Sequence, residues 1–272
     1  MQTKQYFDGV KAGKAYDQQT SLSLAAACAL AYESKSKIGQ TIAGWQWTEV
    51  AVVSKRKGRD IDTQCFIMED DRNLVVAFRG SDALPDWIAN FQATRDPGPL
   101  HQTKAHEGFQ DALYPAVMAL THHVRSGEAA SKRVWVTGHS LGGALASLYA
   151  GMLTENGVRV YGLYTFASPR PGNEAFASAL KHEISGPHYR VVNDGDVVPH
   201  LPPEPFFSHP GNRVILKPTR IERDKPSWWR QRVAALSYFV KATGKVFRIA
   251  DHHKLAAGKV SYIPRLVKDL NR

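Results

Sequence analysis

Cysteine is nearly absent from this chain, and that absence narrows the fold. Only Cys28 and Cys65 occur in 272 residues, so no disulfide framework carries it. Cys28 falls in an Ala/Leu-rich helical run and Cys65 in a strand-like one. Both read as small buried hydrophobes. No apolar run approaches the roughly 20 residues that span a bilayer. Neither an H-E-x-x-H segment nor a Cys cluster occurs, so no metal and no cofactor is implied. Internal repeats and low-complexity tracts are missing as well. The N-terminus lacks a basic-then-apolar pattern. The run S-L-S-L-A-A-A-C-A-L-A-Y at 21–32 starts behind a polar stretch. It reads as the first helix of a fold, not as a signal peptide, and residues 1–20 read as a loosely fixed arm. Neither oligomeric state nor cellular destination is encoded in a motif.

Negative charge is scarce at one end only. The net charge is +10. Residues 1–210 carry 20 Lys and Arg against 21 Asp and Glu, and residues 211–272 carry 15 against 4. Nucleic acid, an anionic membrane surface or an anionic substrate would each suit such a basic stretch. No nucleic-acid-binding motif is present, so nucleic acid is not an expected partner. A solvated basic face is the simplest reading.

What the chain does contain is enough apolar residue, 43%, for one well-buried core. Charged residues make up 22%, a composition that folds. The pattern gives a helix at about 21–34, then strand-like runs at 45–55, 63–69 and 74–78, with a hairpin turn at 69–73. A long helix at 106–125, a buried strand at 133–136 and an Ala-rich helix at 141–153 follow. A strand at 158–166, a helix at 173–183, a strand at 189–192, a loop at 199–210 and a strand at 213–216 come next. A helix is expected at about 227–248. Alternating strands and helices point to one α/β domain over 1–272, with a mainly parallel sheet covered on both faces.

The sharpest local signal is V-W-V-T-G-H-S-L-G-G-A at 134–144. It is a G-x-S-x-G placed after a strand and before a helix, the context that gives the motif meaning. A serine exposed on so tight a turn needs small residues two places before and after it. Gly138 and Gly142 supply them. A helix starting at Leu141 aims its first N–H groups at Ser140, where an oxyanion would form during acyl transfer. Such a serine needs a base, and the base an orienting carboxylate. In a strand–turn–helix setting of this kind they follow in the order Ser, acid, His. After a strand, N-D-G-D-V-V-P-H at 193–200 offers Asp194 and Asp196, and spacing does not choose between them. His200 and His209 lie close behind in the same loop. Asp251-His252-His253 is better placed for the base, with His252 and His253 equally eligible.

Several ordered motifs together resemble the class 3 lipase family, known best from filamentous-fungal triacylglycerol lipases. V-A-F-R-G-S at 76–81 resembles its oxyanion loop and W-I-A-N at 87–90 its lid. H-E-G-F at 106–109, the elbow at 138–144, P-R-P-G-N at 169–173 and N-D-G-D-V-V-P-H-L-P-P at 193–203 complete the series. The resemblance implies an α/β-hydrolase fold with a short helical lid. It also implies a triad of Ser140, Asp196 and His252, because the family's acid precedes a V-V-P run and its base follows an Asp. His253 is then an extra. Ser81 and Leu141 are implied as the oxyanion donors. A lid over 82–95 would turn the apolar face of Leu84, Trp87, Ile88 and Phe91 over the pocket. His106 and His139 are expected to be structural.

The activity implied is hydrolysis of lipid esters through an acyl-enzyme. A phospholipase A1 and a short-chain or feruloyl-type esterase remain open, as does, more remotely, a catalytically dead interaction module. The basic segment 217–250 reads as a helical insertion between acid and base. Trp229, Val233, Leu236 and Val240 form one stripe of it, with Arg230, Lys241, Lys245 and Arg248 off that stripe. Packing on the core is the expectation there, and peripheral contact with a lipid interface the alternative.

Overall fold

The computed structural model describes residues 3–57, 61–81, 93–126, 131–216, 251–256 and 258–270. The strands are β1 (Thr48–Lys57), β2 (Ile61–Glu69), β3 (Asn73–Phe78), β4 (Arg95–Pro97), β5 (Lys104–His106), β6 (Arg133–His139), β7 (Val160–Phe166), β8 (His188–Asn193) and β9 (Asn212–Leu216). Seven of them form one sheet in the order β1-β2-β3-β6-β7-β8-β9. The first three are antiparallel neighbours, and every pair from β3 onward is parallel. The β2–β3 turn is closed by Asp70, whose Oδ1 accepts from the amides of Arg72 (2.8 Å) and Asn73 (2.6 Å). Such a side-chain turn is what the D-D-R-N sequence favours. Strands β4 and β5 form a separate two-stranded sheet, and Ala105 of β5 also bridges Gly172.

The central strands are buried on both faces, so they read as apolar runs, not as alternating ones. All six residues of β3 are buried. On β6, Val134 and Val136 enter one core, and Trp135 between them enters the other, as the two-residue side-chain period requires. The first core is closed by α3 (Glu107–Arg125), α4 (Leu141–Glu155) and α5 (Glu174–Glu183). The second is closed by α1 (Gln18–Leu30), α2 (Lys35–Gly44) and α6 (Tyr262–Leu270). Helix α1 is capped by Asp17, which accepts from the Thr20 amide at 2.6 Å. Its run of Ser, Ala and Cys lets it lie against the sheet with nearly every residue buried. Both cysteines are free and buried, and burial raises the Cys28 thiol to about 12. No helix among the described residues is long and apolar enough to cross a membrane.

Four elements differ from the sequence pattern. The N-terminal arm is pinned. The Asp8 amide donates to Ser23 Oγ (3.0 Å), the Lys11 amide to Thr20 Oγ1 (3.0 Å), and Phe7 stacks on Trp45 at 4.2 Å. Helix α2, the β4–β5 hairpin and helix α6 are additional elements. α6 is short, and its apolar residues Tyr262, Ile263 and Leu266 are only a fragment of a helical stripe. Of the lid segment, 82–92 lies outside the described residues, with Leu84, Trp87, Ile88 and Phe91; Arg95 at its end belongs to β4. The basic insertion at 217–250 lies outside them as well.

Candidate active site

Strand β6 ends in the turn that carries Ser140. Its backbone stands at φ 58°, ψ −133°, a conformation that costs an L-residue roughly 1–3 kcal/mol. The surroundings hold it there. The Ser140 amide donates to the Phe166 carbonyl (2.9 Å), and the Ser140 carbonyl accepts from the Gly143 amide (2.8 Å). A Cβ on Gly138 would overlap the Gly142 carbonyl, and one on Gly142 would come within 2.5 Å of the Phe78 carbonyl. Two chain segments therefore cross the elbow at backbone-to-backbone distance. Helix α4 begins at the next residue, Leu141, and its first amides have no partner within the helix.

The segment after β3 passes directly beside this turn. A Cβ on Gly80 would lie 2.6 Å from the His139 carbonyl and 2.9 Å from Ser140 Cβ. Ser81, the next residue, is half-buried at the same edge. Arg79 before it is fixed through Nη1 to Gln64 Oε1 at 2.6 Å.

Beyond β8, the two carboxylates separate clearly. Asp194 is half-buried, and its backbone carbonyl accepts from Arg265 at 3.3 Å. Asp196 is 2% exposed. Its carboxylate accepts from Tyr262 Oη (2.7 Å), from the Val198 amide (3.0 Å) and from an imidazole Nδ1 (3.0 and 3.1 Å). That imidazole belongs to His253, not to His252. This corrects the pairing expected from the D-H pattern. Residues 251–253 form a helical turn, where successive side chains point about 100° apart, so neighbouring rings do not share one acceptor. His253 is 3% exposed. The His252 ring instead lies over Gly195, where an added Cβ would meet its Nδ1 at 3.0 Å.

Ser140 Oγ and His253 Nε2 are both buried, and neither has a hydrogen-bond partner among the described residues. The two are linked through His139. Its ring packs on that of His253 with centroids 4.8 Å apart, and its Nε2 is 2.7 Å from the His253 carbonyl. A carbonyl only accepts, so Nε2 carries the proton and Nδ1 is the acceptor. Tyr32 Oη donates to Nδ1 at 2.9 Å and accepts from the Gly80 amide at 3.1 Å. Burial, and then the neighbouring His253, hold the His139 pKa well below its ordinary value, so the ring stays neutral. One directed chain of hydrogen bonds thus ties the Gly80 segment, the elbow and the His253 backbone together.

Helix α6 ties the rest. Asn193 Nδ2 donates to the carbonyls of His252 (2.7 Å) and Val260 (2.6 Å). Its Oδ1 accepts from Arg265, which also donates to the Leu216 carbonyl at 3.3 Å. Tyr262 Oη accepts from the Asn193 amide at 3.0 Å while it donates to Asp196. Burial, and then the Asp196 charge, raise the Tyr262 phenol well above its usual range, so it remains a donor. Tyr32, Tyr262 and Arg265 were not singled out by the sequence reading. Nothing local marks them, because each acts across more than 45 residues of chain.

The sequence pattern of the family described as Lipase (class 3) matches residues 75–206. A lipase from Rhizomucor miehei is 38% identical over 166 residues, covering 57% of this chain and 45% of that protein. A secreted mono- and diacylglycerol lipase 1 from Fusarium solani is 36% identical over 157 residues, covering 56% and 46%. The chain therefore spans about half the length of the curated relatives it matches. The solved triacylglyceride lipase of Rhizomucor miehei superposes with a TM-score of 0.64 at 28% identity, over 76% of this chain and 83% of that one.

Proposed function

We propose, for a chain that belongs to the class 3 lipase family and shares the α/β fold of its fungal members, that it hydrolyses carboxylic esters of lipids by acyl transfer through Ser140, with His253 as base and Asp196 as its orienting carboxylate. The observation that carries this reading is the buried His253–Asp196 pair at 3.0 Å, packed beside the strained serine turn.

The chemistry follows from the atoms. His253 Nε2, the ring nitrogen that Asp196 does not hold, takes the Ser140 proton as Oγ attacks the ester carbonyl. Asp196 fixes the tautomer with Nδ1 protonated and stabilises the imidazolium that forms. The tetrahedral oxyanion is held by the backbone N–H groups of Leu141 and Ser81. Each such donor is worth about 100- to 1000-fold in rate. His253 returns the proton to the departing alcohol. Water, deprotonated by the same ring, then releases the acid from Ser140.

The substrate class rests on the relatives' names, which point to acyl glycerols. The direct test is hydrolysis of p-nitrophenyl esters of increasing chain length, and of emulsified mono-, di- and triacylglycerols, by wild type and Ser140→Ala. Activity in wild type and silence in Ser140→Ala is the expected result. A wild type inactive on every ester, emulsions included, would end the hydrolase reading.

A further inference from the structure

On the face of the sheet away from α6, strands β8 and β9 set two cations side by side. Arg190 pairs in register with Arg213, and residues in register on parallel strands project to the same side. Like charges so placed repel. The pair has company. Arg170 reaches the same region, with Nη1 donating to the carbonyls of His200 (2.5 Å) and Pro202 (2.7 Å). Glu204 is the carboxylate nearest to Arg190 in charge terms, yet it is already bound to Arg170 Nη2 at 2.8 Å. His209 adds no charge. Its Nε2 donates to the Pro199 carbonyl at 2.7 Å, and burial followed by Arg190 and Arg170 hold its pKa well below the ordinary value.

Arg190 is left anomalous. Its Nε is buried and makes no hydrogen bond. Neither Arg190 nor Arg213 has an ion pair among the described residues. Burial, then Arg213 and Arg170, bring the Arg190 pKa down to about 10. A buried donor without a partner asks for a missing acceptor. With Glu204 committed to Arg170, two of the three arginines carry positive charge that no ion pair among the described residues compensates.

We propose that Arg190 and Arg213 form an anion site at the β8–β9 edge of the sheet, suited to a phosphate group. A guanidinium is a planar fork that binds two oxygens at once. A tetrahedral phosphate offers enough oxygens for both forks and brings up to two negative charges. A carboxylate fills one fork and neutralises one charge. Arg213 is exposed, so the anion enters from solvent, while Arg190 forms the inner wall. The site lies on the strand that carries the Asn193–Asp196 turn, but it does not depend on the hydrolase reading, because stability and not turnover reports it.

The experiment is thermal unfolding of the full chain in about 10 mM phosphate against chloride of equal ionic strength. Wild type should melt about 2–4 °C higher in phosphate. Arg213→Glu supplies the missing carboxylate on an exposed position. It should raise the melting temperature in chloride and abolish the phosphate increment. Sedimentation with vesicles containing phosphatidic acid separates the two sources of the group. Retention that Arg213→Glu abolishes makes the ligand a lipid headgroup, and a phosphate increment without retention makes it a free phosphate. An equal melting temperature in the two salts, or an increment that survives in Arg213→Glu, would overturn the site.

Discussion

The proposed nucleophile and its proposed base are held by opposite means. Ser140 sits where backbone touches backbone: the turn, Gly138, Gly142 and the Gly80 segment leave no room for a Cβ. His253 sits on one helical turn held by side chains from far along the chain. Asp196 holds its ring, Asn193 holds the neighbouring His252 carbonyl, and Tyr262 and Arg265 hold Asp196 and Asn193 in turn. A site enforced by backbone contact is written in a local motif. A site enforced by long-range side-chain bonds is written in scattered residues that no short pattern marks.

The largest expected effect breaks the backbone side. Gly138→Ala drives a Cβ into the Gly142 carbonyl. It should destabilise the fold by about 4 kcal/mol or more, read as a loss of melting temperature or of soluble protein. On the side-chain side, Lys254→Ala, exposed and one residue past the base, should stay within about 0.5 kcal/mol of wild type.

A middle-sized effect sharpens the comparison. Tyr262→Phe keeps the ring but removes the hydroxyl that joins Asp196 to the Asn193 amide. A hydrogen bond to a charged group is worth about 1.5–3 kcal/mol, so kcat/KM should fall about 10-fold or more with KM little changed. A rise in KM with kcat unaltered would argue that Tyr262 shapes the pocket and does not orient the acid.

A pH-dependent effect lies outside the site. Burial, then Lys181, lower the His188 pKa to about 3. The unfolded chain therefore binds a proton below about pH 6.5 that the folded chain refuses. The stability this neutral ring contributes is complete above that value. It drains as pH falls toward the folded pKa of about 3. His188→Gln should flatten the acid limb of a melting-temperature profile by about 1 kcal/mol per pH unit. An unchanged slope would place the proton uptake elsewhere.

Legibility in the sequence follows the same division. The buried strands and the G-x-S-x-G turn state their geometry locally, through apolar runs and obligatory glycines. The parallel sheet with helices on both faces could be read from them. The choice between Asp194 and Asp196 needed the resemblance to class 3 lipases. For His252 and His253 the same resemblance pointed to His252, whereas the ring that Asp196 holds is that of His253. The doublet places two identical rings one residue apart, and only the orientation of a helical turn separates them. Helix α6 escaped notice because nine residues starting Y-I-P-R carry too short a stripe to stand out. The pinned N-terminal arm escaped because its anchors, Ser23, Thr20 and Trp45, belong to other elements.

The central claim is that His253, held by Asp196, is the base. Its most direct test is kcat/KM of His253→Ala and His252→Ala on the same ester, with circular dichroism and melting temperature showing that both fold. The account predicts a loss of about 10⁴-fold or more for His253→Ala and less than about 10-fold for His252→Ala, whose ring lies over Gly195. The reverse pattern, with His252→Ala silent and His253→Ala active, would contradict it.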